Sequence, residues 1–175
     1  MTSPDPTATG APSSTADGSV VQSPTGTPSS TPLPAETVTA LQTALSAEQA
    51  AVWAYGLVAA YDKDDAAMVE QDRSGHLLRR DATAARLVAG GAAVTEPAPA
   101  YSTPVVPTDA ASARQLAQAI EADAAAGWRL VLGSTDDAEL RGFALTGLSD
   151  AAVRMAMWKK AAGASPVTVP FPGQG

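Results

Sequence analysis

The stretch TVTALQTALSAEQAAVWAYGLVAA, residues 37–60, decides how the chain is read. Apolar residues recur there at Val38, Leu41, Leu45, Val52, Tyr55 and Ala59, the three- and four-residue steps of one helix face. The missing rung of that ladder is Glu48. A long amphipathic helix therefore carries a carboxylate in the seam that it buries, and a buried charge needs a partner. The remaining segments read as a bundle assembled around that seam.

Composition bounds the answer. A chain of 175 residues suits one domain with a sizeable core. A formal charge of −7 and a pI near 4.5 give no electrostatic footprint for nucleic acid and disfavour anionic membrane surfaces. With no cysteine, disulfides, thiolate metal sites and cysteine nucleophiles are excluded. The most apolar run, residues 50–61, is far shorter than the roughly 20 residues a membrane span needs. The start of the sequence lacks a basic region followed by an apolar one, so the expected compartment is the cytoplasm by default.

Residues 1–35 are dominated by Ser, Thr, Pro and Gly and contain no Lys or Arg. Such a segment buries too little apolar surface to offset its ordering entropy, and is expected to be a disordered tail ahead of a domain at 36–175. A first helix is expected over 36–61, and a second over 65–89, started by the cluster Asp62-Lys63-Asp64-Asp65 and stopped by Gly90-Gly91. On the second helix Met68, Gly75, Leu78, Ala82 and Ala85 gather on one face, with Asp72, His76 and Arg80 in a line beside it.

Residues 91–108, GAAVTEPAPAYSTPVVPT, carry four prolines and no periodicity. Extended chain of this length reaches about 50 Å, whereas a helix of some 25 residues is about 38 Å long. The connection can run the full length of a bundle and make the third helix parallel to the second. That third helix is expected over 110–132, capped by Thr108 or Asp109, with Leu116, Ile120, Ala124, Trp128 and Val131 inward and Glu121 beside them. Asp136 and Glu139 suggest a capping box for a fourth helix ending near Ala162, with Leu140, Phe143, Ala144, Gly147, Ala151, Met155 and Trp158 inward. Residues 166–175 are expected to lie along the bundle surface. Short turn, long crossover, short turn among four long helices is the order of ferritin-like bundles.

The segments LQTALSAEQAAVWAYG (41–56), HLLRRDA (76–82), LSDAAVRMAMW (148–158) and PFPG (170–173), with the Pro-rich crossover, resemble an actinobacterial ferritin-like family of unassigned biochemical function. The resemblance covers roughly residues 36–175; it implies the four-helix fold and no particular reaction.

Ferritin-like proteins hold two metal ions with one Glu from each of two helices and a Glu-x-x-His motif from each of the other two. Glu48 and Glu121 suit the lone carboxylates, and each is followed seven residues later by an aromatic, Tyr55 and Trp128. Arg73, not Glu, stands three residues before His76; the fourth helix offers Asp150, Val153 and Arg154 but no histidine. One histidine in the whole chain excludes a site with two imidazoles within a single chain. The inward carboxylates available are Glu48, Asp72, Glu121 and Asp150, and arginines (Arg79 or Arg80, and Arg154) stand where metal-site residues would.

Two readings follow. In the first, the bundle has no catalytic residue and no cofactor, and its metal site is replaced by a buried Glu/Asp/Arg network. Glu48, Tyr55, His76, Arg80, Asp150 and Arg154 are then network or ligand-binding residues, and the protein is an interaction, scaffold or small-ligand-binding module. Arg80 and Arg154 are the expected partners of Glu48, and Asp150 and Arg154, one turn apart, form a local pair. In the second, Glu48, His76, Glu121 and Asp150 keep a partial iron or manganese site in a metal-binding protein or oxidoreductase. Pairing of two copies through helix faces is compatible with either. No phosphate-cradling loop or nucleophile elbow is present.

Overall fold

A computed structural model describes residues 32–174 of the chain. Four helices make up the secondary structure of these residues: α1 (Ala35–Tyr61), α2 (Ala66–Ala89), α3 (Ala110–Gly133) and α4 (Ala138–Ala161). The expected tail at residues 1–31 lies outside the described residues. The packed unit begins slightly before residue 36, because Leu33 donates its backbone N–H to Gly90 O at 3.1 Å and packs on the core beside Leu41 and Leu87.

The caps differ in detail from the sequence expectation. Asp109 caps α3, accepting from Ser112 N–H while the Ser112 hydroxyl accepts from Asp109 N–H, a reciprocal capping box. At α4 the cap is Asp137 rather than Asp136, with Asp137 accepting from Leu140 N–H. Asp65 occupies the N-cap of α2 without a side-chain cap bond; its carboxylate reaches Arg114 instead. Arg114 also meets the fully buried Asp62 at 2.9 Å, so the start of α3 is tied to the α1–α2 turn.

That tie fixes the topology. The α1–α2 turn and the start of α3 are at one end of the bundle, and Thr37 at the other end binds Ser134 O at 2.6 Å. α3 is therefore antiparallel to α1 and parallel to α2, the ferritin-like arrangement. Between them the crossover runs back along α1. Gln42 and Gln49 donate to Ala93 O and Thr95 O, and Tyr101 stacks at a tilt on Trp53 with ring centroids 5.9 Å apart. A long loop is needed because chain must span a helix length, and amide side chains of α1 satisfy its backbone on the way.

Close helix packing links α1 with α2, α1 with α3 and α3 with α4. The core contains two large apolar clusters, one around Tyr55, Val58, Leu116 and Trp158, the other around Leu41, Leu45, Leu87, Trp128 and Leu140, and a small third one of Ala124, Ala125 and Ala151. Alanines occupy much of the seam: Ala40, Ala44, Ala51 and Ala54 are buried on α1, while Val38, Val52 and Ala59 are only partly covered. The seam is thus rotated slightly toward the small residues, which lets the helices approach. On α2 the correction is larger. Val69, Asp72, His76, Thr83 and Leu87 are buried, and Leu78 is 72% exposed, so the line containing Asp72 and His76 faces inward.

Gly147 shows how tight the packing is. A Cβ there would sit 2.6 Å from Cδ2 of the buried Trp128 indole. Gly147→Ala is expected to cost about 1–3 kcal/mol through overpacking, measured by urea denaturation; an unchanged midpoint would show that the indole has room to move.

Candidate functional site

Between the two apolar clusters lies a polar layer built by all four helices. α1 contributes Glu48 and Tyr55, α2 contributes Asp72, His76 and Arg79, α3 contributes Glu121 and Trp128, and α4 contributes Asp150, Arg154 and Trp158. Spacing explains the sets: Asp72, His76 and Arg79 follow one another by four and three residues on α2, and Asp150, Arg154 and Trp158 by four and four on α4. Glu48 and Tyr55, and Glu121 and Trp128, are two turns apart on their helices.

His76 is the centre. Its Nδ1 lies 2.6 Å from Glu48 Oε2 and its Nε2 lies 3.0 Å from Glu121 Oε1. All three side chains are at most 1% exposed. Burial by itself lowers the imidazole pKa, but hydrogen bonds and charge from Glu121 and Glu48 outweigh it and raise the value from 6.5 to about 9. At neutral pH His76 is an imidazolium that donates one N–H to each glutamate.

Aromatic donors meet further acceptors of the layer. Trp128 Nε1–H donates to Glu48 Oε1 at 2.6 Å. The Tyr55 hydroxyl donates to Glu121 Oε1 at 2.5 Å and accepts from Trp158 Nε1–H at 2.9 Å. The same indole N–H is 2.8 Å from Asp72 Oδ2. Burial, then the charges of Glu121 and Asp72, push the Tyr55 phenol well above its ordinary value, so it stays a donor. Burial and then the Glu121 charge also raise the Asp72 pKa, with Arg154 opposing them. Among the described residues, Glu121 Oε2 is buried with no hydrogen-bond partner.

Arginines form the outer shell. Arg79 pairs with Asp150, approaches Glu48 Oε1 at 3.9 Å and lies over the Trp128 ring at 5.8 Å. Arg154 Nε is 3.3 Å from Asp72 Oδ1. Its guanidinium rests against the α2 backbone at Gly75, where a Cβ would come within 2.9 Å of Arg154 Cζ and overlap the terminal nitrogen. Gly75 is therefore a cradle for Arg154.

The sequence expectation is corrected in three places. Glu48 is met by His76 and Trp128, with Arg79 at longer range, and not by Arg80 or Arg154. Arg80 turns outward to Asp81, because one step along a helix rotates a side chain by about 100°. Asp150 and Arg154 do not pair with each other; each crosses to α2, Asp150 to Arg79 and Arg154 to Asp72. The pairing signal that sequence reasoning missed is Trp128. Its seven-residue spacing from Glu121 was visible, but its N–H on Glu48 is a contact between α3 and α1.

The donor set does not fit a metal pair. Both ring nitrogens of His76 are taken up by glutamates, both oxygens of Glu48 already accept hydrogen bonds, and Asp150 is held at the rim by Arg79. Among the described residues no three His, Cys, Asp or Glu side chains are arranged to hold a metal ion. The cation at the centre of the layer is the imidazolium.

Two predictions follow from this geometry. Glu48→Ala leaves the imidazolium and the Trp128 N–H without their shared acceptor, and is expected to cost on the order of 3 kcal/mol in urea denaturation; melting like the wild type would place Glu48 outside the network. The second concerns pH. The folded pKa of His76 is raised, so its stabilisation is complete below about pH 6.5 and is lost as pH rises from 6.5 toward 9. Stability is expected to fall across that window by about 3 kcal/mol, with His76→Gln flattening the slope; a wild-type profile as flat as that of the variant would refute the charged imidazole.

The comparisons with known proteins agree with the fold. A family model described as a domain of unknown function, DUF4439, matches residues 40–175. The crystal structure of the conserved hypothetical protein Rv2844 from Mycobacterium tuberculosis superposes with a TM-score of 0.71 at 32% sequence identity, covering 74% of this chain and 98% of that one. No curated protein matches the chain. No described helix is long and apolar enough to cross a membrane.

Proposed function

This chain belongs to the DUF4439 family, and we propose that its bundle is a non-catalytic small-ligand-binding protein in which a buried ion network stands where ferritin-like relatives carry two metal ions. The observation that carries this reading is the position of His76. A single imidazolium lies between the glutamates of α1 and α3, the two helices that would supply lone metal-bridging carboxylates, and binds both through two directed hydrogen bonds, with Arg79 adding positive charge near Glu48. A metal pair would require those same oxygens and the same ring nitrogen.

A catalytic reading has less support. A general acid or base works near its own pKa and within reach of substrate. His76 is raised well above neutrality, saturated by two carboxylates and shielded from solvent. Ligand binding is supported at the surface instead, where clefts of about 370–380 Å³ flank α2 and contain arginines. Volumes of this size suit small molecules.

The alternative, a carboxylate-rich metal protein, draws on one feature, the buried Glu121 Oε2 without a hydrogen-bond partner. Elemental analysis for iron, manganese and zinc after expression in supplemented medium separates the two. The expected result is less than stoichiometric metal, together with a ¹⁵N NMR signature of His76 with both ring nitrogens protonated at neutral pH. Stoichiometric metal that disappears in Glu48→Ala would overturn the proposal.

A further inference from the structure

The geometry points to a second site, separate from the ion network, that binds a small planar aromatic anion between α1, α2 and the crossover. This inference rests on the small-ligand-binding reading above and gives it a location and a ligand class; it does not depend on the chemistry of His76.

The cleft has a volume of about 370 Å³. Arg73 and Arg80, two turns apart on α2, supply its positive charge, and Trp53 of α1 and Tyr101 of the crossover supply ring faces. Gln49, Val52 and Gly56 complete the α1 wall, and among the described residues no carboxylate lines the space. In a chain of net charge −7, two arginines without a lining acid form a local exception to the prevailing field.

The arginines are available to a ligand. Arg73 is half-buried and has no hydrogen bond or ion pair with any described residue. A partly desolvated guanidinium without an acceptor is a cost that an incoming carboxylate, sulfonate or phosphate removes. Among the described residues Arg80 is held only by its neighbour Asp81, whose side chain is 61% exposed, and exposed pairs of this kind contribute little.

The ring faces are fixed in place. The Tyr101 hydroxyl accepts from Ala98 N–H at 2.9 Å, and its ring is tilted by 55° against Trp53. A planar ring can therefore lie on a preformed aromatic surface while its anionic group faces the guanidiniums, a combination that guanidinium and indole chemistry both favour. The groove between α2 and α4 is of similar volume but is charge-balanced, since Asp72 and Asp150 already engage Arg154 and Arg79.

Gly56 makes the test clean. It is exposed on α1, and a Cβ there meets no atom within 4 Å, so Gly56→Leu fills the cleft without disturbing the core and raises helix propensity. The probe is 2-naphthoate, titrated by NMR on the full chain, with the Trp53 indole N–H as reporter. Neutral 2-naphthamide and inorganic phosphate serve as the ring-only and charge-only comparisons.

The expected result is saturable binding of 2-naphthoate, about tenfold tighter than 2-naphthamide or phosphate. It should weaken by about tenfold in Arg73→Gln and be lost in Gly56→Leu, with both variants melting within a few degrees of the wild type. Three outcomes overturn the proposal: no saturation up to about 10 mM, equal affinity for the naphthamide or for phosphate, or unchanged affinity in Gly56→Leu. None of them alters the metal content or the state of His76, so the two readings fail separately.

Discussion

The clamp of Glu48, His76 and Glu121 is the constraint on which the rest of the bundle depends. Three ionisable groups from three helices lie out of water, with His76 within hydrogen-bond distance of both glutamates. Isolated, each would be expelled from the core or neutralised; together they are tolerated because the imidazolium gives one N–H to each carboxylate. The arrangement has little translational freedom. Sliding α2 by one turn would carry Asp72 or Arg79 to the place of His76 and break the paired hydrogen bonds of its ring, so the clamp favours one axial register of α1, α2 and α3.

Apolar packing and the polar layer divide the work. The clusters above and below the layer supply burial, with Trp128, Trp158 and Leu41 and Leu45 of α1 fully enclosed. Their alanine-rich seams supply little directional information, because a small side chain packs acceptably in several registers. Specificity comes from groups that belong to both layers. Trp128, Trp158 and Tyr55 fill apolar volume with their rings and direct an N–H or O–H at Glu48, Asp72 and Glu121.

α4 joins the bundle differently. It packs closely on α3 and reaches α2 through long side chains, Arg154 over Gly75 to Asp72 and Asp150 to Arg79. A groove remains between α2 and α4, while on the other flank of α2 a cleft separates it from the crossover that makes helices 2 and 3 parallel. The same proline-rich segment thus solves a topological problem and builds one wall of a cleft.

The four helices, their order and the need for a long crossover were legible in the sequence, because periodicity, caps and prolines are local signals. So was the anomaly at Glu48, since a charge in an apolar ladder is visible without any structure, and the composition ruled out a two-histidine metal site within a single chain. The partners of that charge were not legible. Arg79 and Arg80 are adjacent in sequence but point about 100° apart, and only the packing angle of α2 decides which one turns inward. The same rotation buries His76 and exposes Leu78, against the apolar reading of that helix. Tertiary structure alone determined that the cation between Glu48 and Glu121 is an imidazolium. The interaction joins residues 28 and 45 positions apart on three helices, and no local pattern encodes such a distance.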